Sequence, residues 1–514
     1  MSITRRTHRA AFFIALLLAA AFALPAAGQS DPTATVYVIR NVEYRIDGRT
    51  REFALRYASE IKVGDRAVGE EALKAYIDDK TQILINQRVI ATVRIESAKG
   101  EAEADGTVPV DLVVYVEDTW NAVALPYGKY DSNDGLELVL KARDYNFLGT
   151  MQPLRIDLGY QIDPKPVNAG KWDEGSFVSE LDTNIPFIAF DYKWNVDFDH
   201  ILTYGSSYGL AYENKTGVSV DFPIRGTTLT VGAFQGVSVN EENDEEYKAE
   251  YGERYDDEWY LSNWMQADWE IPTGYRVNGF GELTYTPRAI VMNKYRPGGD
   301  IGEERRGPTV ELGQKLEFGR VDWIGNYRRG LEVTIDNANV FNLHYREWDR
   351  SVTASATGHL PIASFFGISS RLSGTVHFDK PDDEAGVPLR GIMDDSVIAD
   401  AAIYLNTEFP LRLIRFVPYE WFGQRHKWMK IFQFEQQWSP FVDAALVKYD
   451  DGGVDFDPTD PLISAGLEVV TFPLFFRSLY VRISLGFNVE TAREEKGLPS
   501  GDGRELFIGI GHHY

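Results

Sequence analysis

The stretch Leu136-Glu137-Leu138-Val139-Leu140-Lys141-Ala142-Arg143 and its neighbour Leu154-Arg155-Ile156-Asp157-Leu158-Gly159-Tyr160 put an apolar or aromatic residue at every second position, with Glu137, Lys141, Arg143, Arg155 and Asp157 among the residues between. Successive side chains of a β-strand point to opposite faces, so each stretch predicts a strand with one apolar and one polar face. The pattern returns late in the chain. Leu479-Val481-Ile483-Leu485-Phe487 alternates with Tyr480, Arg482, Ser484, Gly486 and Asn488, and Leu506-Ile508-Ile510 with Phe507, Gly509 and Gly511. A two-sheet sandwich would show the same period, so the decision rests on the surrounding chain.

From Trp120 the alternation runs almost to the aromatic last residue, Tyr514, with no second helical region between. A meander that long leaves exposed sheet edges unless it closes on itself. Beyond the N-terminal segment no run approaches the ~18 apolar residues of a helical span. A barrel needs no such run, because its strands show only alternate residues to lipid. A transmembrane antiparallel β-barrel is therefore expected over 119–514. At about 25 residues per strand and connection it would hold some 16 strands, with 14 and 18 also open. Tyr192 with Trp194, Trp259 with Tyr260, and Phe475 with Phe476 suit aromatic girdles, and the polar runs Glu241 to Glu253 and Asp300 to Arg306 suit loops.

The N-terminus explains how such a chain would reach a membrane. Arg5, Arg6 and Arg9 precede an apolar run from Ala10 to Leu24, followed by Pro25 and small residues to Gly28. This is the layout of a secretory signal, so 1–28 is expected to be cleaved; an uncleaved anchor is the alternative reading. With no cysteine in the sequence, neither a disulfide framework nor a lipoprotein anchor is available. Cleavage removes three arginines and no carboxylate, taking the formal charge from −25 to −28. For the molecule as a whole, nucleic acid and anionic surfaces are poor partners.

Residues 33–118 read differently. Thr35 to Tyr44 is β-branched and aromatic and ends at the Asp47-Gly48 turn. Arg51 to Ser59 suits a short helix, and Ala72, Leu73, Tyr76 and Ile77 recur at helical spacing from Glu70 onward. Val89 to Ile95 and Val110 to Val116 alternate again, after a polar interruption at Gly100 to Thr107. The order β-α-α-β-β predicts a small α/β domain, its helices covering one face of a three-stranded sheet. Val36, Val38, Leu73, Ile77, Val89, Val93, Val114 and Val116 are its expected core.

That order resembles the POTRA domain, the module of outer-membrane assembly proteins. Val42, Gly64, Arg88, Val89 and the phrase VDLVVYVED (Val110 to Asp118) sit where such modules keep a core strand, a turn and the final strand pair. Near the C-terminus, Leu389-Arg390-Gly391-Ile392 is similar to the (V/I)RG(Y/F) loop motif of the BamA/TamA-like superfamily of POTRA-plus-barrel proteins, departing from it at both flanks. Phe441-Val442-Asp443-Ala444-Ala445 resembles the family's FFDxG strand without its glycine. Ser464-Ala465-Gly466-Leu467-Glu468 resembles its SxGxG strand with the second glycine replaced.

The resemblance implies a loop near 386–396 folded into the lumen, with Arg390 meeting Asp443 there and Gly391 letting the backbone approach the wall. It further implies insertion or translocation of polypeptides at the outer membrane, with the N-terminal domain in the periplasm. The implied partners are unfolded outer-membrane proteins or secreted polypeptides, periplasmic lipoproteins or chaperones, and outer-membrane lipid. Gly466, Gly509 and Gly511 are the remaining candidate residues, the last two because a glycine-bearing final strand packs loosely; relief of crowding in the lumen is the other explanation.

No catalytic constellation competes with this reading. His512 and His513 are adjacent on a strand and so point to opposite faces, no G-x-S-x-G elbow presents a serine, and phosphate-binding glycine loops are absent from the sequence. The expectation is a protein without enzymatic activity, metal or cofactor. A passive porin or a structural surface protein would share the barrel, although a porin would not need the N-terminal domain.

Overall fold

The computed structural model describes residues 35–131, 135–162, 175–205, 209–239, 259–277, 281–302, 305–379, 385–393, 396–424, 426–448, 455–495 and 503–510. The expected signal peptide 1–28, the acidic run 241–253, Gly511, His512, His513 and Tyr514 lie outside the described residues.

The first domain contains β1 (Val36–Asp47), α1 (Glu52–Ser59), β2 (Arg66–Val68), α2 (Glu70–Asn86), β3 (Ile90–Lys99) and β4 (Thr107–Asp118). Its sheet has four strands in the order β2-β1-β4-β3, not the three expected, with β1 and β4 parallel. The extra edge strand, Arg66-Ala67-Val68, is too short to display a period. Glu70 and Glu71 favour the start of α2 through the helix dipole, and Leu73 and Leu84 face the core. A bulge between Ile39 and Asn41 shifts which residues of β1 point inward. Ile39 and Val42 are consequently buried, whereas Val36 and Val38, expected in the core, are only half-buried.

The remainder of the chain closes into a barrel of nineteen strand segments. They are β5 (Ala122–Asp131), β6 (Gly135–Asp144), β7 (Leu154–Ile162), β8 (Ser176–Ala189), β9 (Tyr192–Gly205), β10 (Gly209–Ile224), β11 (Thr227–Val239), β12 (Trp259–Val277), β13 (Gly281–Tyr295) and β14 (Thr309–Ile324). Then follow β15 (Tyr327–Asn342), β16 (Glu347–Ala363), β17 (Phe366–His377), β18 (Ala401–Glu408), β19 (Leu411–Phe416), β20 (Phe434–Lys448), β21 (Leu462–Pro473), β22 (Val481–Asn488) and β23 (Arg504–Ile510). Both β18 and β19 pair with β17 and with β20, so they are one strand interrupted at Phe409-Pro410, where proline offers no N–H to the ladder. Among the described residues eighteen strands thus surround the lumen, an even number that allows β23 to meet β5 antiparallel. The count is the upper of those left open, 16 being the central expectation, and several hairpins close through two-residue turns. Phe190-Asp191 is one, with both φ angles positive as the twist of a tight hairpin demands.

Alternation sorts the wall into two faces. Leu138, Leu140, Leu158, Val291, Leu312, Leu360, Leu405, Val442, Ile483 and Leu485 are exposed on the outside and form an apolar band. Of the proposed girdle aromatics, Tyr192 is exposed near a strand end, but Tyr260 and Phe476 are buried. Among the described residues no helix is long and apolar enough to cross a membrane.

The two-residue turns lie at the end from which β5 starts, and the described parts of the β17–β18 and β20–β21 connections, 385–393 and 455–461, follow strands that end at the other. The first domain sits against the short-turn end. Arg51 donates its N–H to the Gly149 carbonyl at 2.8 Å, and Asn146 donates to Thr50 Oγ1 at 2.7 Å. The Arg88 guanidinium lies 4.1 Å from the Trp323 ring centre and donates to the Arg477 carbonyl at 2.5 Å. Met151 and Tyr145, from the β6–β7 connection, join the core of the first domain.

Candidate functional site

Period two makes Phe441, Asp443 and Ala445 of β20 face inward while Val442 faces out, and the structure follows it: Asp443 has no exposure and Val442 is 47% exposed. On β21 the inward set is Ser464, Gly466 and Glu468; on β22 it is Arg482, Ser484 and Gly486. These side chains form a patch of lumen wall against which the β17–β18 connection folds back.

Arg390 lies at the tip of that connection and is 2% exposed. Its Nε donates to Asp443 Oδ2 and its Nη2 to Asp443 Oδ1, both at 2.8 Å, while its backbone N–H reaches Oδ2 at 3.2 Å. This is the bidentate fork that guanidinium and carboxylate planes form. The guanidinium also lies 3.7 Å from the ring centre of Phe441, and its Nη1 is 3.5 Å from Glu408 and 3.7 Å from Glu468. Arg482 sits 3.4 Å from Glu468. The result is a charge-alternating cluster inside the wall, where removal from water strengthens each contact and penalises any unpaired member.

The backbone beside Arg390 rests directly on the wall. Gly391 has φ +97°, and a Cβ there would lie 2.3 Å from the Phe487 nitrogen. A Cβ at Gly486 would lie 2.7 Å from the Arg390 carbonyl, and one at Gly466 would meet the Leu485 oxygen at 2.0 Å and the Phe441 ring at 2.5 Å. Gly391, Gly466 and Gly486 therefore form a seat without side chains, and only glycine accepts the backbone angle of the first. Leu389 and Ile392, the flanks that depart from the family pattern, are buried with Ala385, Val397, Tyr404 and Ala445 in an apolar cluster. Tyr404 and Asn406 donate to the carbonyls of Ala385 and Pro388, both at 2.7 Å.

The loop also reaches the last strand. Gly391 donates its N–H to Glu505 of β23 at 2.7 Å. Where β23 meets β5, two positions are paired among the described residues, Phe507 with Asp131 and Ile508 with Tyr130. By contrast, β22 and β23 share seven pairs and β5 and β6 share ten. A Cβ at Gly509 would fall 2.4 Å from the Phe507 ring, which the Arg482 guanidinium covers at 4.0 Å. Gly509 thus makes room for an inward aromatic, the crowding explanation rather than loose packing.

The structure brings Arg390, Gly391, Asp443 and Gly466 together; Gly509 lies farther along β23, and Gly511 is outside the described residues. Sequence reasoning missed Glu408, Phe441, Glu468, Arg482, Gly486 and Glu505. A signal was available for three of them. Glu468, Arg482 and Glu505 are charged residues within apolar alternating strands, so they had to face the lumen. Glu468 stands where the family pattern has glycine, and here it supplies a carboxylate beside Arg390.

Neither a protein-family model nor a curated protein sequence matches the chain. Among solved structures it is similar to CdiB from Acinetobacter baumannii, at 14% identity and a TM-score of 0.46, over 92% of this chain and 74% of that one. BamA from Haemophilus ducreyi lacking POTRA domains 1-3 matches at 14% identity and a TM-score of 0.38, over 92% and 84%. CdiB from Escherichia coli matches at 9% identity and a TM-score of 0.38, over 95% and 92%.

Proposed function

We propose that this chain is an outer-membrane assembly factor of the BamA/TamA-like kind, inserting or translocating polypeptides without enzymatic activity or cofactor, its POTRA-like domain in the periplasm. The observation that carries the reading is the seam: among the described residues β23 and β5 share two paired positions, and a lumen loop grips β23 through Glu505. Strand edges left open in hydrocarbon cost several kcal/mol for each bare backbone group. A seam with two pairs among its described residues is the place for the wall to open, and an incoming strand can satisfy the exposed edges by backbone pairing that demands no particular side chain. Unfolded outer-membrane proteins or secreted polypeptides are the matching substrates, with periplasmic lipoproteins or chaperones as partners of the first domain.

The test is insertion itself. Vesicles containing the purified full-length protein receive a urea-unfolded outer-membrane barrel, and the folded fraction is read from heat-modifiable migration. Faster folding than in empty vesicles and in vesicles carrying a passive porin is expected. Equal rates in all three would reject the proposal.

A further inference from the structure

The connection between β19 and β20 fits neither the lumen site nor the first domain. It leaves the barrel at the same end as the two-residue turns and includes a helical turn at Pro418–Trp421 and a 3₁₀ segment at Lys427–Phe432. Val417, Pro418 and Gln433 are buried and fix its two ends. Between them Trp421, Phe422, Trp428, Ile431 and Phe432 are each 56–60% exposed, an apolar concentration that water alone does not favour. The aromatics are ordered against one another: Phe416 meets Trp421 edge-on at 5.1 Å and Trp428 meets Phe432 edge-on at 5.8 Å.

Charge sets the segment apart as well. From Leu411 to Phe432 the sequence contains Arg412, Arg415, Arg425, Lys427 and Lys430 against Glu420 alone, within a chain of formal charge −25. Arg412 is directed to Glu435 and Arg415 stands opposite Glu435 on the inward side of β19, while Lys430 is exposed. The apolar face continues into Leu413, Ile414, Phe416 and Trp438, outward residues of β19 and β20 that belong to the band around the barrel.

We propose that residues 416–433 form an amphipathic anchor lying in the near leaflet of the membrane, its aromatics among the acyl chains and its cations on anionic phospholipid headgroups. Trp, Phe and Ile with interspersed Lys and Arg is the composition of interfacial segments, and the position at a strand end places it at headgroup depth. Two arguments favour lipid over a protein partner: the continuity with the outward apolar band, and a positive charge that the chain's other surfaces oppose. The anchor also flanks the strand broken at Pro410, so it is seated where the wall's own ladder is interrupted. The inference rests on the membrane-barrel reading.

Because the chain has no cysteine, single spin labels report cleanly. Phe432→Cys and, separately, Trp421→Cys are reconstituted as full-length protein in phosphatidylcholine vesicles with and without phosphatidylglycerol, with Ser97→Cys on the first domain as an aqueous control. Heat-modifiable migration of each variant reports the barrel independently. Both anchor labels should favour oxygen over a water-soluble nickel quencher, and phosphatidylglycerol should deepen them. Each cation near an anionic surface favours the bound state about fivefold, so Lys427→Glu with Lys430→Glu should abolish the lipid dependence. A folded barrel whose labels are as open to nickel as Ser97→Cys overturns the anchor and leaves the barrel standing, assigning the face to a protein partner. Loss of heat-modifiable migration in the unsubstituted protein would overturn the barrel as well.

Discussion

Truncating Arg390 and truncating Asp443 should not cost the same. Arg390→Ala leaves Asp443, which has no exposure and takes both of its side-chain donors from that guanidinium, as an uncompensated buried carboxylate. Breaking a buried pair in this way costs about 3–5 kcal/mol. Glu408 and Glu468 suffer less, since Arg328 and Arg482 each remain within 3.4 Å of one of them. Asp443→Ala instead leaves Arg390 beside Glu408, Glu468 and the Phe441 ring, so the loss should be about 1–3 kcal/mol. The double mutant should lose less than the sum of the two, with a coupling of about 1–3 kcal/mol. Arg390→Lys keeps the charge without the fork and should fall between wild type and Arg390→Ala. Urea titration in lipid, followed by heat-modifiable migration, measures all four variants. Equal single losses that add in the double mutant would refute the clamp.

Gly391→Ala should free the loop even with Arg390 intact, because φ +97° and the 2.3 Å approach to Phe487 cannot both be kept; trypsin added to the outside of intact cells should then cut at Arg390, and continued resistance would count against the seat. The fragment 33–118 should fold with a cooperative melt, yet less stably than within the full chain, since Met151 and Tyr145 are missing from its core; a disordered circular-dichroism spectrum would contradict this. In that fragment the Lys99 ammonium, then the Tyr37 hydroxyl, hold the Glu70 carboxyl below its ordinary value. Its contribution is therefore fully present above the usual glutamate range and lost as pH falls from that range to the lowered folded value. Glu70→Gln should narrow the difference between melts at neutral and acidic pH, and an unchanged difference would show that the pair contributes nothing.

Period-two alternation was legible wherever one face meets lipid, as in Leu136 to Ala142 and Val481 to Leu485, because burial there depends on chemistry alone. It failed where backbone geometry intervenes. The bulge at Arg40 moved the β1 core from Val36 and Val38 to Ile39 and Val42, and no residue type announces a bulge. The strand count stayed open between about 14 and 18 because turns such as Phe190-Asp191 lack the glycine or asparagine that marks a hairpin in sequence. In the site, Arg390 and Asp443 were found through their motifs. The roles of Gly486 and Glu505 depend on which strands face the loop, a long-range fact that no local pattern contains. Phe476, read as a girdle aromatic, is buried 5.8 Å from Tyr145, where the barrel meets the first domain.

The seam is the most direct point of attack. Tyr130 and Ile508 are paired across it on antiparallel strands, where opposed Cα atoms lie within disulfide range, and the chain has no competing thiol. The variant combining Tyr130→Cys with Ile508→Cys is oxidised in vesicles and given an unfolded outer-membrane barrel as substrate. The expected result is folding at the rate of empty vesicles while the disulfide is intact, with acceleration returning on reduction and each single-cysteine variant unaffected by oxidant. Undiminished acceleration with the seam locked would contradict insertion through it.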